Sequence, residues 1–372
     1  MADQIITRRK EIIDVAKGLT AEPIPEKEIH IDENTPMLST GSTLLDLAIC
    51  GDRIYGGGIP GGILVEIYGP SGYGKTTILG EICANAQSKG GFAMIGDAER
   101  RMKPDFIQIM GIKITKDNLK YPHTIEDLEE LIFDIPETGG NIIDVTGVDS
   151  TASLISSAEL KITKSKNSDG EETEAQTMKK DKRGSAKAKD LHSLCRRAKI
   201  EMSKNNRLIV FTNQIQDVQT EGFGPSYGPK EKTPGGHAVP FYASLRLRCG
   251  AAKISKITKK VKIAGNDISE DIGIRSLVKV TKSSIGAPFR EAEICIVFDY
   301  GIDDLRANLE YIKKMTGSNQ YWAVDNQFKS IKEAIYHIEK MNYEKELQTA
   351  TINLWYEIKD KFKEHRKVKN RG

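Results

Sequence analysis

The segment Gly69-Pro70-Ser71-Gly72-Tyr73-Gly74-Lys75-Thr76-Thr77 constrains this chain more than any other. It matches G-x-x-x-x-G-K-[ST], follows the apolar run Ile63–Tyr68 directly and leads into a helical pattern over Thr76–Ala86. A phosphate-binding loop needs that strand–loop–helix order. Glycines let the loop curl until successive backbone N–H groups converge on phosphate oxygens. The following helix adds its N-terminal partial positive charge. Lys75 then supplies a point charge to the β- and γ-phosphates, and the Thr76 hydroxyl a ligand for Mg²⁺. A fold that presents such a loop must place a strand beside a helix.

The rest of the chain supports a fold of that kind. Short apolar runs recur at Phe92–Ile95, Ile142–Val148, Leu208–Thr212, Ala243–Leu247, Leu277–Thr281 and Glu293–Phe298, with a further helical pattern at Ile125–Phe133. The alternation predicts an α/β core, a mostly parallel twisted sheet flanked by helices. The expected division is an N-terminal arm over 1–40, a core over 41–316 and a small α+β unit over 317–372 with a basic tail. In the arm, Ile12, Ile13, Val15 and Ala16 suggest one short helix, broken by Glu22-Pro-Ile-Pro-Glu26. In the last unit Leu354, Trp355 and Ile358 form a helical stripe, expected to be ordinary core.

Two carboxylates stand where phosphate chemistry would use them. Ile142-Ile-Asp-Val-Thr-Gly-Val-Asp149-Ser150 is an apolar strand ending in an acid, which suits Asp149 to hold the Mg²⁺ water shell. Asp144 is the competitor, but it is expected mid-strand, where burial is costly. Glu99, just past the run Phe92–Ile95, either orients the attacking water or is a solvated strand-end glutamate. Two long stretches break the core pattern. Lys164–Asp181 has almost no apolar residues and lies within 161–199, which holds twelve Lys/Arg against six Asp/Glu. Residues 218–237 carry eight of the chain's glycines and prolines. Both read as long loops, which in a compact domain usually bind something.

Composition excludes several classes. The formal net charge of +3 is too near balance to announce a nucleic-acid or membrane partner by itself. No stretch approaches 18 uninterrupted apolar residues, so no transmembrane helix is expected. The first residues carry charge where a secretory signal would carry its apolar segment. Cys50, Cys83, Cys195, Cys249 and Cys295 are scattered and form no C-x-x-C pair, which fits reduced cytoplasmic thiols.

The motifs together resemble the bacterial RecA recombinases over nearly the whole chain. Ser39-Thr-Gly-Ser with Leu44-Leu-Asp, Val65-Glu-Ile-Tyr-Gly-Pro, Asp97-Ala-Glu99, Val148-Asp-Ser150, Thr212-Asn-Gln-Ile215, Thr233-Pro-Gly-Gly236, Phe241-Tyr-Ala-Ser-Leu-Arg246 and Ala287-Pro-Phe289 stand in that family's order. The resemblance implies an ATP- and Mg²⁺-dependent recombination and repair protein of the DNA-damage (SOS) response. It implies helical filaments on single-stranded DNA that pair with homologous double-stranded DNA. It makes Glu99 the catalytic carboxylate, Gln214 a γ-phosphate sensor, Phe241 the interface phenylalanine and Lys282 a contact to the neighbouring subunit's ATP. The first DNA loop would span about 157–187 and the second about 218–238. Lys189, Arg196, Gly235, Gly236 and His237 would meet DNA.

The chain also departs from the family's pattern. Arg100 replaces a common histidine, Phe106 stands where a tyrosine usually stacks on adenine, and Ser284 replaces a second lysine near Lys282. Lys359–Arg371 is basic where many members are acidic. These differences suggest a divergent member. Lys253–Lys262, with five lysines and no acid, is a weaker DNA candidate whose default reading is a solvated face. Phe223 and Tyr227 could stack on bases or anchor their own loop. A ring-shaped helicase of the same core fold, and a filament-binding regulator with a vestigial ATP site, remain as rivals.

Overall fold

The computed structural model describes residues 35–136, 138–156, 163–166, 172–175, 183–217 and 231–364. The arm up to residue 34, most of both long loops including Phe223 and Tyr227, and the basic end from residue 365 lie outside the described residues.

A ten-stranded sheet organises the core. Its strands are β1 (Leu64–Tyr68), β2 (Ala93–Asp97), β3 (Leu119–Lys120), β4 (Val145–Asp149), β5 (Leu208–Asn213), β6 (Leu245–Cys249), β7 (Ser255–Ile263), β8 (Asn266–Ser283), β9 (Glu291–Val297) and β10 (Gly301–Ile302). The spatial order is β10-β9-β8-β6-β1-β5-β4-β2-β3, with β7 paired to β8. Pairing is parallel from β6 through β3. Beyond β6 it is antiparallel. The antiparallel side includes the long β7–β8 hairpin.

Helices cover both faces, which is why β1, β4 and β5 are buried along their whole length and read as largely apolar runs without strict alternation. Successive residues still alternate between two cores. Val65 and Ile67 of β1 join Val210 of β5 and Leu247 of β6 on the face of helix α2 (Lys75–Ser88), through Ile78, Leu79 and Ile82. Leu64 and Phe211 pack on the opposite face, against Leu194 and Ala198 of α5 and Ala238 and Val239 of α6. The intervening helices are α3 (Pro104–Ile109), α4 (Ile125–Phe133), α5 (Arg183–Asn205) and α6 (Ala238–Tyr242). Helix α1 (Thr43–Cys50) precedes β1, with Ser42 as its N-cap.

A separate cluster closes the C-terminal unit. Helices over Asp304–Thr316, Ile331–Met341 and Glu344–Asp360 bury Leu309, Ile312, Ile338, Leu347 and Leu354 beside a short hairpin, Tyr321–Ala323 with Asn326–Phe328. Trp355 and Ile352 pack on Leu47, tying this unit to the core. All five cysteines are free and buried. Among the described residues no helix is long and apolar enough to cross a membrane.

Asp144 departs from the sequence expectation, whereas the lysine run keeps to its default reading. Asp144 is buried but precedes β4 and does not lie within it. Its carboxylate accepts from Phe92 N at 2.7 Å and from Thr138, pinning the strand end remote from the phosphate loop. Lys256–Lys262 lies on the mostly exposed β7, and its partners on β8 include Asp267, Glu270 and Asp271. Lys256 pairs with Asp271 at 2.6 Å. The charge run is thus half of a mixed-sign hairpin, in keeping with its default reading as a solvated face.

Candidate active site

The phosphate loop joins β1 to α2 at the carboxyl ends of the parallel strands, where open α/β sheets bind ligands. Two of its glycines have no substitute. Gly69 has φ +150°, and a Cβ there would lie 2.3 Å from the Cys249 carbonyl oxygen. Gly74 caps α2 at φ +89°, and a Cβ would lie 2.2 Å from Cδ1 of Ile296. The loop is therefore pressed against the antiparallel half of the sheet, and Ser276 Oγ donates to Tyr73 O at 3.0 Å. Lys75 Nζ donates to Gly69 O at 2.9 Å and Pro70 O at 2.7 Å. Burial pushes the Lys75 ammonium below its ordinary value, with Asp149 and Glu99 pulling the other way.

Opposite the loop, Asp149 ends β4. It accepts from Thr76 Oγ1 at 2.7 Å and from the Thr212 hydroxyl. Burial raises its carboxyl above the usual range, and those two hydrogen bonds oppose the rise. A hydroxyl and a carboxylate side by side are hard oxygen donors of the kind Mg²⁺ takes, so this pair fits the ion.

Glu99 reaches the same cleft because Asp97, at the end of β2, folds the following turn. Its carboxylate accepts from Arg101 N at 3.0 Å and Met102 N at 2.9 Å, while Glu99 N donates to Asp149 O at 3.2 Å. Glu99 accepts from the Ser150 hydroxyl and from Gln214 Nε2 at 3.3 Å, and pairs with Arg101 Nε at 2.8 Å. Ser71, Gly72, Gly74, Lys75, Thr76, Thr77, Glu99, Asp149 and Gln214 line one cleft together with Arg101, Ser150, Ile296 and Phe298. Ile296 and Phe298 were not anticipated. They arrive from β9 and the residue after it, on the antiparallel side, more than 200 residues from the loop. Phe298 is 55% exposed, an aromatic face open to the cleft.

Other expected residues sit elsewhere. Phe106 on α3 packs on the main core and is not among the cleft's lining residues. Lys282, near the end of β8, donates to Pro240 O at 2.9 Å and Phe241 O at 2.8 Å, away from its own chain's cleft. Burial pulls its ammonium down, and neighbouring Arg246 adds to the shift. Phe241 is 69% exposed beside it, in ring contact with His192 and Tyr242. Lys189 and Arg196 are exposed on α5, seven residues apart and hence on one side of the helix. The Gly235–Gly236 turn lies against Leu191 and Ala188 of that helix, and exposed His237 follows it. Gly235 and Gly236 thus lie beside the stretch of α5 that carries Lys189, and Arg196 stands about two turns further along that helix.

A buried polar chain runs behind the cleft, unmarked in sequence. Glu66 of β1 is fully buried, pairs with Arg246 Nε at 2.5 Å and accepts from Asn213 Nδ2 at 3.1 Å. Arg246 also lies over the Tyr68 ring at 4.3 Å. Asn213 accepts from Gln214 N at 3.0 Å and donates to Pro234 O at 3.2 Å. One side chain thus holds the chain as it leaves β5 and as it returns toward α6.

Comparison with known proteins decides the relationship. A family profile described as the RecA N-terminal domain matches residues 14–303. The chain belongs to the RecA family. Protein RecA of Thermus thermophilus is 35% identical over 271 residues, 73% of this chain and 69% of that one. Protein RecA of Mycoplasma mobile is 32% identical over 304 residues, 82% and 81% of the two chains. The match includes the phosphate loop, both cleft carboxylates and Gln214, so the α/β core described above is a RecA core.

Proposed function

We propose that this chain is a DNA-dependent ATPase of homologous recombination and repair. It assembles head to tail into a helical filament on single-stranded DNA and pairs that strand with homologous duplex. The family supports recombination and repair; the observation that carries the finer reading is the Gln214–Glu99 contact. Glu99 stands over the cleft, and four residues after Gln214 the chain enters the second long stretch. Occupancy at the phosphate loop and the posture of that stretch therefore share one side chain.

In this reading Lys75 and the loop amides bind the β- and γ-phosphates of ATP. Thr76 and Asp149 hold Mg²⁺, which when bound neutralises phosphate charge. Glu99, fixed by Ser150 and Gln214, orients the attacking water and takes its proton. Phe298 offers the adenine a face, and Phe106 keeps only an indirect part. Lys282 and Phe241 meet the neighbouring protomer. Lys189, Arg196, Gly235, Gly236 and His237 meet the DNA backbone, so sequence is read by base pairing and not by the protein. The division into an arm over 1–40, a core over 41–316 and an end unit over 317–372 belongs to the same reading, as does a cytoplasmic location. Strand exchange with homologous and with unrelated duplex, with ATP hydrolysis followed in parallel, tests it. Exchange restricted to the homologous duplex supports the reading; hydrolysis coupled to directional unwinding of both would replace it with a helicase.

A further inference from the structure

Arg248 is the second outward arginine of β6, on the same side of the sheet as Arg246. It makes three charge-assisted hydrogen bonds. Nε and one terminal nitrogen take both oxygens of Glu231, at 2.9 and 2.6 Å, and the other terminal nitrogen donates to Gly250 O at 2.6 Å. The side chains are one-fifth and one-third exposed, so the pair is shielded more than a surface bridge. The Arg248 guanidinium is held above its ordinary value by Glu231, and Glu231 below its own by Arg248.

What the two ends touch gives the pair its meaning. Glu231–Lys232 is the return stem of the second long stretch, paired antiparallel with Gln216–Asp217. That outgoing stem begins two residues after Gln214. The other end is the turn at Cys249–Gly250. It abuts the phosphate loop twice, with Cys249 O against Gly69 and Gly250 against the Tyr73 ring. Arg248 is itself in register with Tyr68, the residue before the loop. The phosphate loop's shoulder and the stem are thus joined by one side chain, on a route that bypasses Gln214 and Glu99.

We propose that Arg248 is a positioning residue that locks the return stem of the second long stretch to the shoulder of the phosphate loop, so that nucleotide binding strengthens the grip on single-stranded DNA through the Arg248–Glu231 pair. The proposal rests on the reading of that stretch as DNA-facing. The pair joins phosphate loop to stem and touches neither the cleft nor the exposed residues assigned to DNA.

The test uses the full chain and a dye-labelled thymidine oligonucleotide, titrated with and without a non-hydrolysable ATP analogue. Arg248→Gln and Glu231→Gln each lose about tenfold of the nucleotide-dependent gain in affinity, within the usual range of coupling between sites. Both keep unaltered nucleotide affinity, and the gain is read as the ratio of DNA affinities with and without nucleotide, so that the charge removed from the stem cancels. Arg248→Lys falls with them, because one ammonium cannot span both Glu231 oxygens and Gly250 O. The exchanged double variant Arg248→Glu, Glu231→Arg recovers part of the gain. Should Arg248→Gln fold poorly, Glu231→Gln carries the test alone, since it leaves the Gly250 contact in place. Full gain in the single variants overturns the proposal, as does equal loss with and without nucleotide. Absence of any gain in the unaltered chain instead removes the DNA-loop reading beneath it.

Discussion

Replacing Glu99 by glutamine separates chemistry from binding at this site. The amide keeps the shape and an oxygen for the Ser150 hydroxyl, so the turn set by Asp97 should stand. The ion pair with Arg101 is lost, but Arg101 is 59% exposed, and such a pair is worth less than about 1 kcal/mol. The side chain is otherwise nearly buried and makes no hydrogen bond to the phosphate loop, so ATP affinity should stay within about threefold. Loss of a positioned base costs about 10²–10⁴ in rate, roughly 3–5 kcal/mol of barrier. Steady-state phosphate release at saturating single-stranded DNA, beside fluorescent-nucleotide binding, reads both quantities. More than about one-tenth of the original turnover in Glu99→Gln, or an affinity falling in step with it, would falsify the assignment.

Other substitutions address the frame. Gly74→Ala combines a left-handed backbone, about 1–2 kcal/mol against alanine, with a methyl thrust into Ile296, so nucleotide affinity should drop at least tenfold while circular dichroism stays native. Glu66→Gln leaves Arg246 without its counter-charge; because Arg246 is partly exposed, we expect the lower end of the buried-pair range, about 3 kcal/mol, in urea unfolding, and less when Arg246→Gln is added. Asp46 accepts from Ser39 and Thr40, and burial raises its carboxyl to about 7. A folded pKa above the unfolded one means this carboxyl stabilises most below about 4 and that its contribution fades as pH rises through 7. Asp46→Asn should therefore gain stability relative to the unaltered chain between pH 5 and 8 in thermal melts, and a constant difference would remove that link.

The parallel half of the fold was legible because its strands are buried on both faces and its phosphate loop is a contiguous motif. The cost of burying a mid-strand carboxylate favours Asp149 over Asp144 in sequence, but Asp144 is buried ahead of β4, where Phe92 N and Thr138 satisfy it. The β7–β8 hairpin was not legible. Asn266–Glu270 is exposed, leaving no apolar alternation, and its charge partners lie on a strand that read as a lysine run. The Glu66 network escaped for a different reason. Its members are 147 and 180 residues apart in sequence, and a glutamate inside the run Ile63–Tyr68 carries no local sign of its partners. Phe298 escaped likewise, since only the sheet order brings the end of β9 to the phosphate loop. Resemblance supplied the roles of Gln214, Phe241 and Lys282, which spacing alone could not.

On the proposed function, nucleotide held at this cleft commits the protein to an ordered assembly on single-stranded DNA. Negative-stain electron microscopy of the full chain with long single-stranded DNA and a non-hydrolysable ATP analogue tests it most directly. Continuous helical filaments that vanish in Lys75→Ala are the expected result. Dispersed protein, or closed rings of fixed size, would contradict it.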